Sequence, residues 1–151
     1  MTAPEPLELS SAARELRIGV IGSGFIVNDC HLVSYRKRGF TVAAIASRTR
    51  ENAAAVAENH DLATVHESVE ALLDDQSLDL LDIAVPPRAQ PEIILEACRR
   101  GHVRGILAQK PLALDLDSAV EVVEACEKAG IALAVNQNMR RDPSVVYTTA
   151  L

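Results

Sequence analysis

Residues 17–27 read RIGVIGSGFIV, and this stretch decides the fold. Its first half, 17–22, is short and almost wholly apolar, with none of the polar alternation of a half-exposed strand. Such a run reads as a strand covered on both faces, the mark of a parallel sheet. Gly22-Ser23-Gly24 follows at once, and residues 25–38 then carry helical periodicity. Gly22 and Gly24 thus occupy the first two positions of a G-x-G-x-x-G turn that comes off a strand and opens a helix. The first glycine permits the tight turn, and the second lets a pyrophosphate approach the backbone at the positive end of the helix. Gly22, Ser23, Gly24, Phe25 and Ile26 are therefore candidate contacts of a dinucleotide. The third position holds Val27 where glycine gives close helix–strand packing, so a slightly wider spacing is expected there.

Outward from this turn the same alternation recurs. Apolar runs at 41–47, 78–86, 102–109 and 131–136 read as further buried strands, with a short one near 64–66. Helices are expected at 50–59, 68–74, 91–100 and 115–129. In the last of these Leu116, Ala119, Val120, Val123 and Cys126 follow i, i+3, i+4, i+7 spacing and are expected to face the core. Asp115 caps its start and Gly130 ends it in the left-handed conformation. Repeated strand–helix alternation predicts an α/β fold, a Rossmann-type doubly wound parallel sheet of about six strands in a single domain. The expected organisation is a loose tail over 1–16, the NAD(P)-binding domain over 17–137 and a linking segment over 138–151. In such sheets ligands bind outside the carboxyl ends of the strands, so every strand-to-helix junction is a candidate site.

The second junction bears on which dinucleotide binds. Sites that prefer NAD place a carboxylate roughly 20 residues beyond the glycines, where it bonds the ribose 2′-hydroxyl. Here Ser47 and Arg48 stand at that place, and neither is acidic. A hydroxyl and a guanidinium suit a 2′-phosphate, which favours NADP over NAD, although Arg48 also suits stacking on adenine. Arg50 reads as a solvated cation at a helix start.

Composition excludes other classes. A chain of 151 residues that is 48% hydrophobic and 24% charged is an ordinary foldable one. Only 3% is aromatic and there is no Trp, against stacking platforms for single-stranded nucleic acid. With 15 Lys and Arg against 21 Asp and Glu the net charge is -6, which also disfavours a nucleic-acid partner. No apolar run approaches the ~18 residues of a membrane helix, and residues 1–16 lack the pattern of a signal peptide. Cys30, Cys98 and Cys126 are odd in number and show no metal-ligand spacing, so they read as small core residues in a cytoplasmic protein. His31, His60, His66 and His102 show no ligand spacing either, and no metal site is expected.

Four ordered segments carry a resemblance to a known family. RIGVIGSGFI with the following His31 and AIASR, then LDIAVPP at 81–87, ILAQKPLAL at 106–114 and AVNQNMRRDPSV at 134–145 together resemble the glucose–fructose oxidoreductase and inositol dehydrogenase (Gfo/Idh/MocA) family. The resemblance implies a nicotinamide-dependent oxidoreductase acting on a sugar, polyol or related carbonyl compound. It implies that Lys110 lies at the nicotinamide and substrate as the catalytic lysine. Val85, Pro86 and Gln109 are further candidates for the cofactor site. Asn136, Gln137 and Asn138 suit hydrogen bonds to nicotinamide or substrate and equally to loop backbone, and His31 on the first helix reads as a packing residue. Gln109 stands where the family usually has glutamate, which leaves Lys110 beside a neutral partner. Pro87 and Gln90 replace the more usual Asn and His, so the loop after the third long strand is expected to meet the cofactor with different side chains. The family's second α/β domain, which completes the substrate site and supports oligomers, has no counterpart within these residues. The alternative reading is therefore a non-catalytic NAD(P)-binding module, a sensor or assembly subunit.

Overall fold

The computed structural model describes residues 10–142, 145 and 148. Its elements in chain order are α1 (Ser11–Glu15), β1 (Arg17–Ile21), a π-helical segment (Ile26–His31) running into α2 (Leu32–Arg38), and β2 (Thr41–Ala46). There follow α3 (Arg50–His60), α4 (Val69–Leu73), β3 (Leu80–Ile83), α5 (Gln90–Arg100), β4 (Gly105–Ala108), α6 (Leu116–Ala129), β5 (Ala132–Val135) and a 3-10 turn (Asn138–Arg141).

The five strands form one sheet in the order β2-β1-β3-β4-β5, and every pairing is parallel. An isolated parallel bridge joins Val65 to Ile45 on the outer side of β2, where the short strand near 64–66 was expected. Parallel neighbours need crossovers, and the crossover helices cover both faces with separate apolar clusters. One holds Ile18 and Val20 of β1 against Val27, Leu32 and Ala53, Val56 and Ala57 of α3. The other holds Ile21, Leu81, Ile83 and Ile106 against Leu72, Leu73, Ile94, Ala97, Val122 and Cys126. Alternate residues of β1 therefore serve opposite faces, the period-2 rule of a strand buried on both sides. The doubly wound expectation holds, but with five strands among the described residues in place of about six, since the short run near 64–66 makes only the single bridge at Val65.

The helix ends have local causes. Ser68 accepts from Ala71 N at 3.2 Å and Asp115 from Ser118 N at 2.8 Å, each satisfying a free donor of the first turn. Gly130 closes α6 at φ 69°, as expected.

Three further expectations are corrected. Part of the segment read as a loose tail is helical: Ser10 caps α1 by accepting from Ala13 N. The first helix opens as a π turn in which Val27 and His31, four apart, both turn inward. Most instructive is α6, where Val122 and Cys126 face the sheet while Leu116 (76% exposed), Val120 and Val123 lie outward. The α6 sequence carries two overlapping apolar arcs, and periodicity alone does not choose between them. The choice is made by the exit, where buried Ile131 follows Gly130 into the sheet. Residues 1–9 of the tail, and 143–151 apart from 145 and 148, lie outside the described residues. Among the described residues no helix is long and apolar enough to cross a membrane.

The burial difference is testable by thermal denaturation. Val122→Ala opens a cavity and is expected to cost about 2 kcal/mol. Val120→Ala on the outer arc is expected to stay within about 0.5 kcal/mol of the parent.

Candidate functional site

The carboxyl ends of the strands lie side by side, so Gly22, Ser47, Ala84, Gln109 and Asn136, each the first residue past its strand, form one rim. Gly22 sits at φ +124°, and its N–H donates to Ala46 O at 2.8 Å. A Cβ placed on it would come within 2.3 Å of Ala84 O, so the chain itself demands glycine there. Gly24 differs. A Cβ on Gly24 would meet nothing within 4 Å, so no protein contact requires glycine at that position. The open space lies where the helix begins, and the first turn offers backbone donors that no earlier residue of the helix can satisfy. Intrahelical bonding starts with Asn28 N to Gly24 O at 3.0 Å. This cradle fits a pyrophosphate. Ser23, Gly24 and Phe25 also line a cleft of about 440 Å³ that runs to Asn52 and Val56 of α3. Phe25 (69% exposed) and Ile26 project outward.

At the second junction Ser47 is buried and its hydroxyl donates to Thr49 O at 2.6 Å. That bond uses its single proton and leaves lone pairs. Arg48 is exposed beside the start of α3. Arg50 pairs with Glu67 at 2.8 Å, in keeping with a surface cation.

Gln109 and Lys110 lie on a turn held by a residue from another element. Gln90 is fully buried at the start of α5. Its Oε1 accepts from Gln109 N at 2.7 Å, and the two protons of its Nε2 are shared among Gln109 O at 2.9 Å, Leu112 O at 2.9 Å and the more distant Pro111 O at 3.2 Å. Gln90 therefore braces the lysine turn, correcting the expectation that it meets the cofactor. The Lys110–Pro111 peptide is cis. Lys110 is exposed and enters no ion pair among the described residues. Val85 packs partly against the core, Pro86 is exposed, and Asn138 is the first residue of the 3-10 turn.

Gln109 is not the partner of Lys110. Its Nε2 lies 3.0 Å from His31 Nε2, and Asn136 Nδ2 lies 3.0 Å from the same nitrogen. The other ring nitrogen, Nδ1, is 2.7 Å from Asp82 Oδ2, to which Tyr35 OH also donates at 2.9 Å. Asp82 is 1% exposed in the middle of β3, and its Oδ1 has no hydrogen-bond partner among the described residues. Burial, and next the Asp82 charge, hold the Tyr35 hydroxyl well above the usual phenol range, so it stays a donor. His31 is thus a polar bridge where simple packing was expected. Asp82 and Tyr35 were missed entirely. Their signal is a lone carboxylate in an otherwise apolar strand, with His31 and Tyr35 one helical turn apart to meet it.

No cluster of His, Cys, Asp and Glu able to hold a metal occurs among the described residues. Cys98 and Cys126 lie 3.6 Å apart between α5 and α6, and burial pushes the Cys126 thiol up to about 12.

A doubly wound parallel sheet with a glycine cradle and a braced lysine at one rim defines a nucleotide-binding α/β domain of oxidoreductase type. The chain belongs to the Gfo/Idh/MocA oxidoreductase family: the profile of that family's NAD-binding Rossmann fold matches residues 16–137. D-xylose 1-dehydrogenase (NADP(+)) 2 of Haloferax volcanii is 34% identical over 119 residues, covering 78% of this chain and 36% of that protein. The 1,5-anhydro-D-fructose reductase of Ensifer adhaerens is 32% identical over 124 residues, 82% of this chain and 37% of its own length. Among solved structures, the 3-ketoreductase KijD10 of Actinomadura kijaniata, in complex with TDP-benzene and NADP, superposes with a TM-score of 0.81 at 28% identity, over 89% of this chain and 42% of that one. The chain therefore spans between a third and a half of the length of these relatives.

The two glycines are expected to fail differently on substitution. Gly22→Ala combines left-handed strain with a backbone overlap and should cost about 3 kcal/mol or more of stability in a melt. Gly24→Ala should melt with the parent yet bind NADP⁺ at least about tenfold more weakly in a fluorescence titration.

Proposed function

We propose that this chain is the nucleotide-binding half of an NAD(P)-dependent oxidoreductase that moves hydride between nicotinamide and a carbon of a sugar, polyol or related carbonyl compound. The observation that carries this reading is Lys110, exposed at the end of β4 on the same rim as the glycine cradle, its turn fixed by the buried Gln90. The dinucleotide, when bound, supplies the hydride acceptor or donor. Residues 22–26 would hold its pyrophosphate, with Val85, Pro86, Gln109, Asn136 and Asn138 towards the nicotinamide half. Lys110 brings an ammonium to the rim. It can donate a hydrogen bond to an oxygen that gains charge as the C–O bond changes order, or pass that oxygen its proton.

NADP is the favoured form. Among the described residues the turn after β2, Ser47-Arg48-Thr49, carries no carboxylate for a ribose 2′-hydroxyl. Ser47, its proton on Thr49 O, gives a 2′-phosphate no donor, so the preference rests on Arg48. A 2′-phosphate would accept from Arg48, which stands exposed beside the N-terminal donors of the eleven-residue α3. The substrate class rests on the sugar dehydrogenase and reductase among the relatives. Association into a homo-oligomer belongs to the proposal through the family likeness, and a cytoplasmic setting through the absence of paired cysteine spacing.

Arg48→Ala is expected to weaken NADP⁺ by about 1.5–3 kcal/mol, the scale of a charge-assisted hydrogen bond, and NAD⁺ much less. Equal losses for both in parallel calorimetric titrations would reject the phosphate role and leave adenine stacking. Where turnover of a sugar or polyol is measured, Lys110→Ala should lower kcat about a hundredfold or more. An unchanged kcat would remove Lys110 from the chemistry.

A further inference from the structure

We propose that His31 is a positioning residue that sets the nicotinamide half of the site, by tying the ends of β4 and β5 to a buried anchor on β3. The proposal rests on the reading that a dinucleotide lies across the strand ends. The anchor is Asp82, 1% exposed, with one oxygen shared by His31 Nδ1 at 2.7 Å and the Tyr35 hydroxyl at 2.9 Å. A carboxylate only accepts, so Nδ1 carries the proton and donates. Nε2 then presents its lone pair outward, towards the amide nitrogens of Gln109 and Asn136, each 3.0 Å away. Tyr35 also meets the imidazole edge to face, with ring centroids 6.3 Å apart. The ring is therefore held through both nitrogens and one edge.

What it holds is the part of the rim farther along the sheet from the glycine turn. Gln109 directly precedes Lys110, and Gln90 already fixes its backbone. The His31 contact adds the side chain, so the peptide leading into Lys110 is gripped from two sides. Asn136 is the matching first residue after β5, and its N–H donates to Ala108 O at 2.8 Å. One lone pair cannot satisfy two amides at once. The carboxamides of Gln109 and Asn136 consequently keep spare donors and acceptors at the rim, in orientations His31 limits. A polar group on the nicotinamide half is the chemistry they match.

Two isosteres separate this role from general stability. Asn reproduces the position of Nδ1 and Gln that of Nε2. His31→Asn keeps the bond to Asp82 and loses the grip on Gln109 and Asn136. His31→Gln does the reverse. The probes are NADP⁺ and its fragment 2′-phospho-ADP-ribose, which lacks nicotinamide, each titrated calorimetrically into the full 151-residue chain.

The expected result for His31→Asn is a melting temperature near the parent's and about a tenfold loss of NADP⁺ affinity, with fragment affinity within about twofold. His31→Gln is expected to recover most of that NADP⁺ loss while melting lower, because Asp82 has lost a partner. Affinity that follows the melting temperature in both variants would make His31 merely structural and overturn the proposal. So would a parent chain that binds NADP⁺ no more tightly than the fragment, since no nicotinamide-half contact would exist to position. A parent that binds neither ligand would instead overturn the dinucleotide reading beneath it.

Discussion

Everything at the functional end of this molecule depends on how β1 leaves the sheet. Its two neighbours are β2 and β3; the helix after β1 packs on one face of the sheet and the helix after β3 on the other. The crevice between β1 and β3 is thus a topological switch point, the place where open α/β sheets take their ligands. Gly22 passes through it with its N–H on Ala46 O and no room for a Cβ against Ala84 O. A side chain there would push β1 and β3 apart at the rim. The turn that follows would then no longer aim the helix N-terminus over the strand ends. Fold and binding cradle therefore share one backbone constraint.

A second tie spans the same crevice from below. Asp82 on β3 reaches His31 and Tyr35 on the first helix, so the element that carries the cradle is bound to the strand beside it by buried polar contacts. A carboxylate taken out of water is costly unless it is paired, and here each contact also fixes a direction. The π turn before α2 brings His31 inward together with Val27. π turns often mark functional segments, and this one lets an apolar residue and a polar bridge occupy the same helix face. Gln90 does for the lysine turn what Asp82 does for the first helix. Both are buried polar residues, Asp82 bonded to the first helix and Gln90 to the backbone of the lysine turn.

How much of this was legible in the sequence follows from what kind of pattern each feature leaves. The strands were readable because burial on both faces writes a continuous apolar run, as in 17–22 and 41–47. The glycine turn was readable because its place after a strand and before a helix gives the two glycines a physical reason. Helix facing in α6 was not, because Leu116, Val120 and Val123 make as good an arc as Val122 and Cys126. Tertiary entry and exit decide between them. The polar network was the largest omission. Asp82, His31 and Gln90 lie in three different elements, so no local spacing links them, and only the sheet order brings them together. Asp82 did leave a trace, one of two charges, with Asp79, in the run 78–86, which a reading of that run as nearly continuous and apolar passes over.

The central claim is that a dinucleotide lies across the rim from the glycine cradle to the lysine turn. The most direct measurement is a backbone amide NMR titration of the ¹⁵N-labelled chain with NADP⁺. The account predicts shifts concentrated at residues 23–26, at Arg48 and at Gln109 and Asn136, with the outer face of α6 at Leu116 and Val120 unmoved. Shifts confined to that outer face, or a glycine turn that does not respond at saturation, would contradict it.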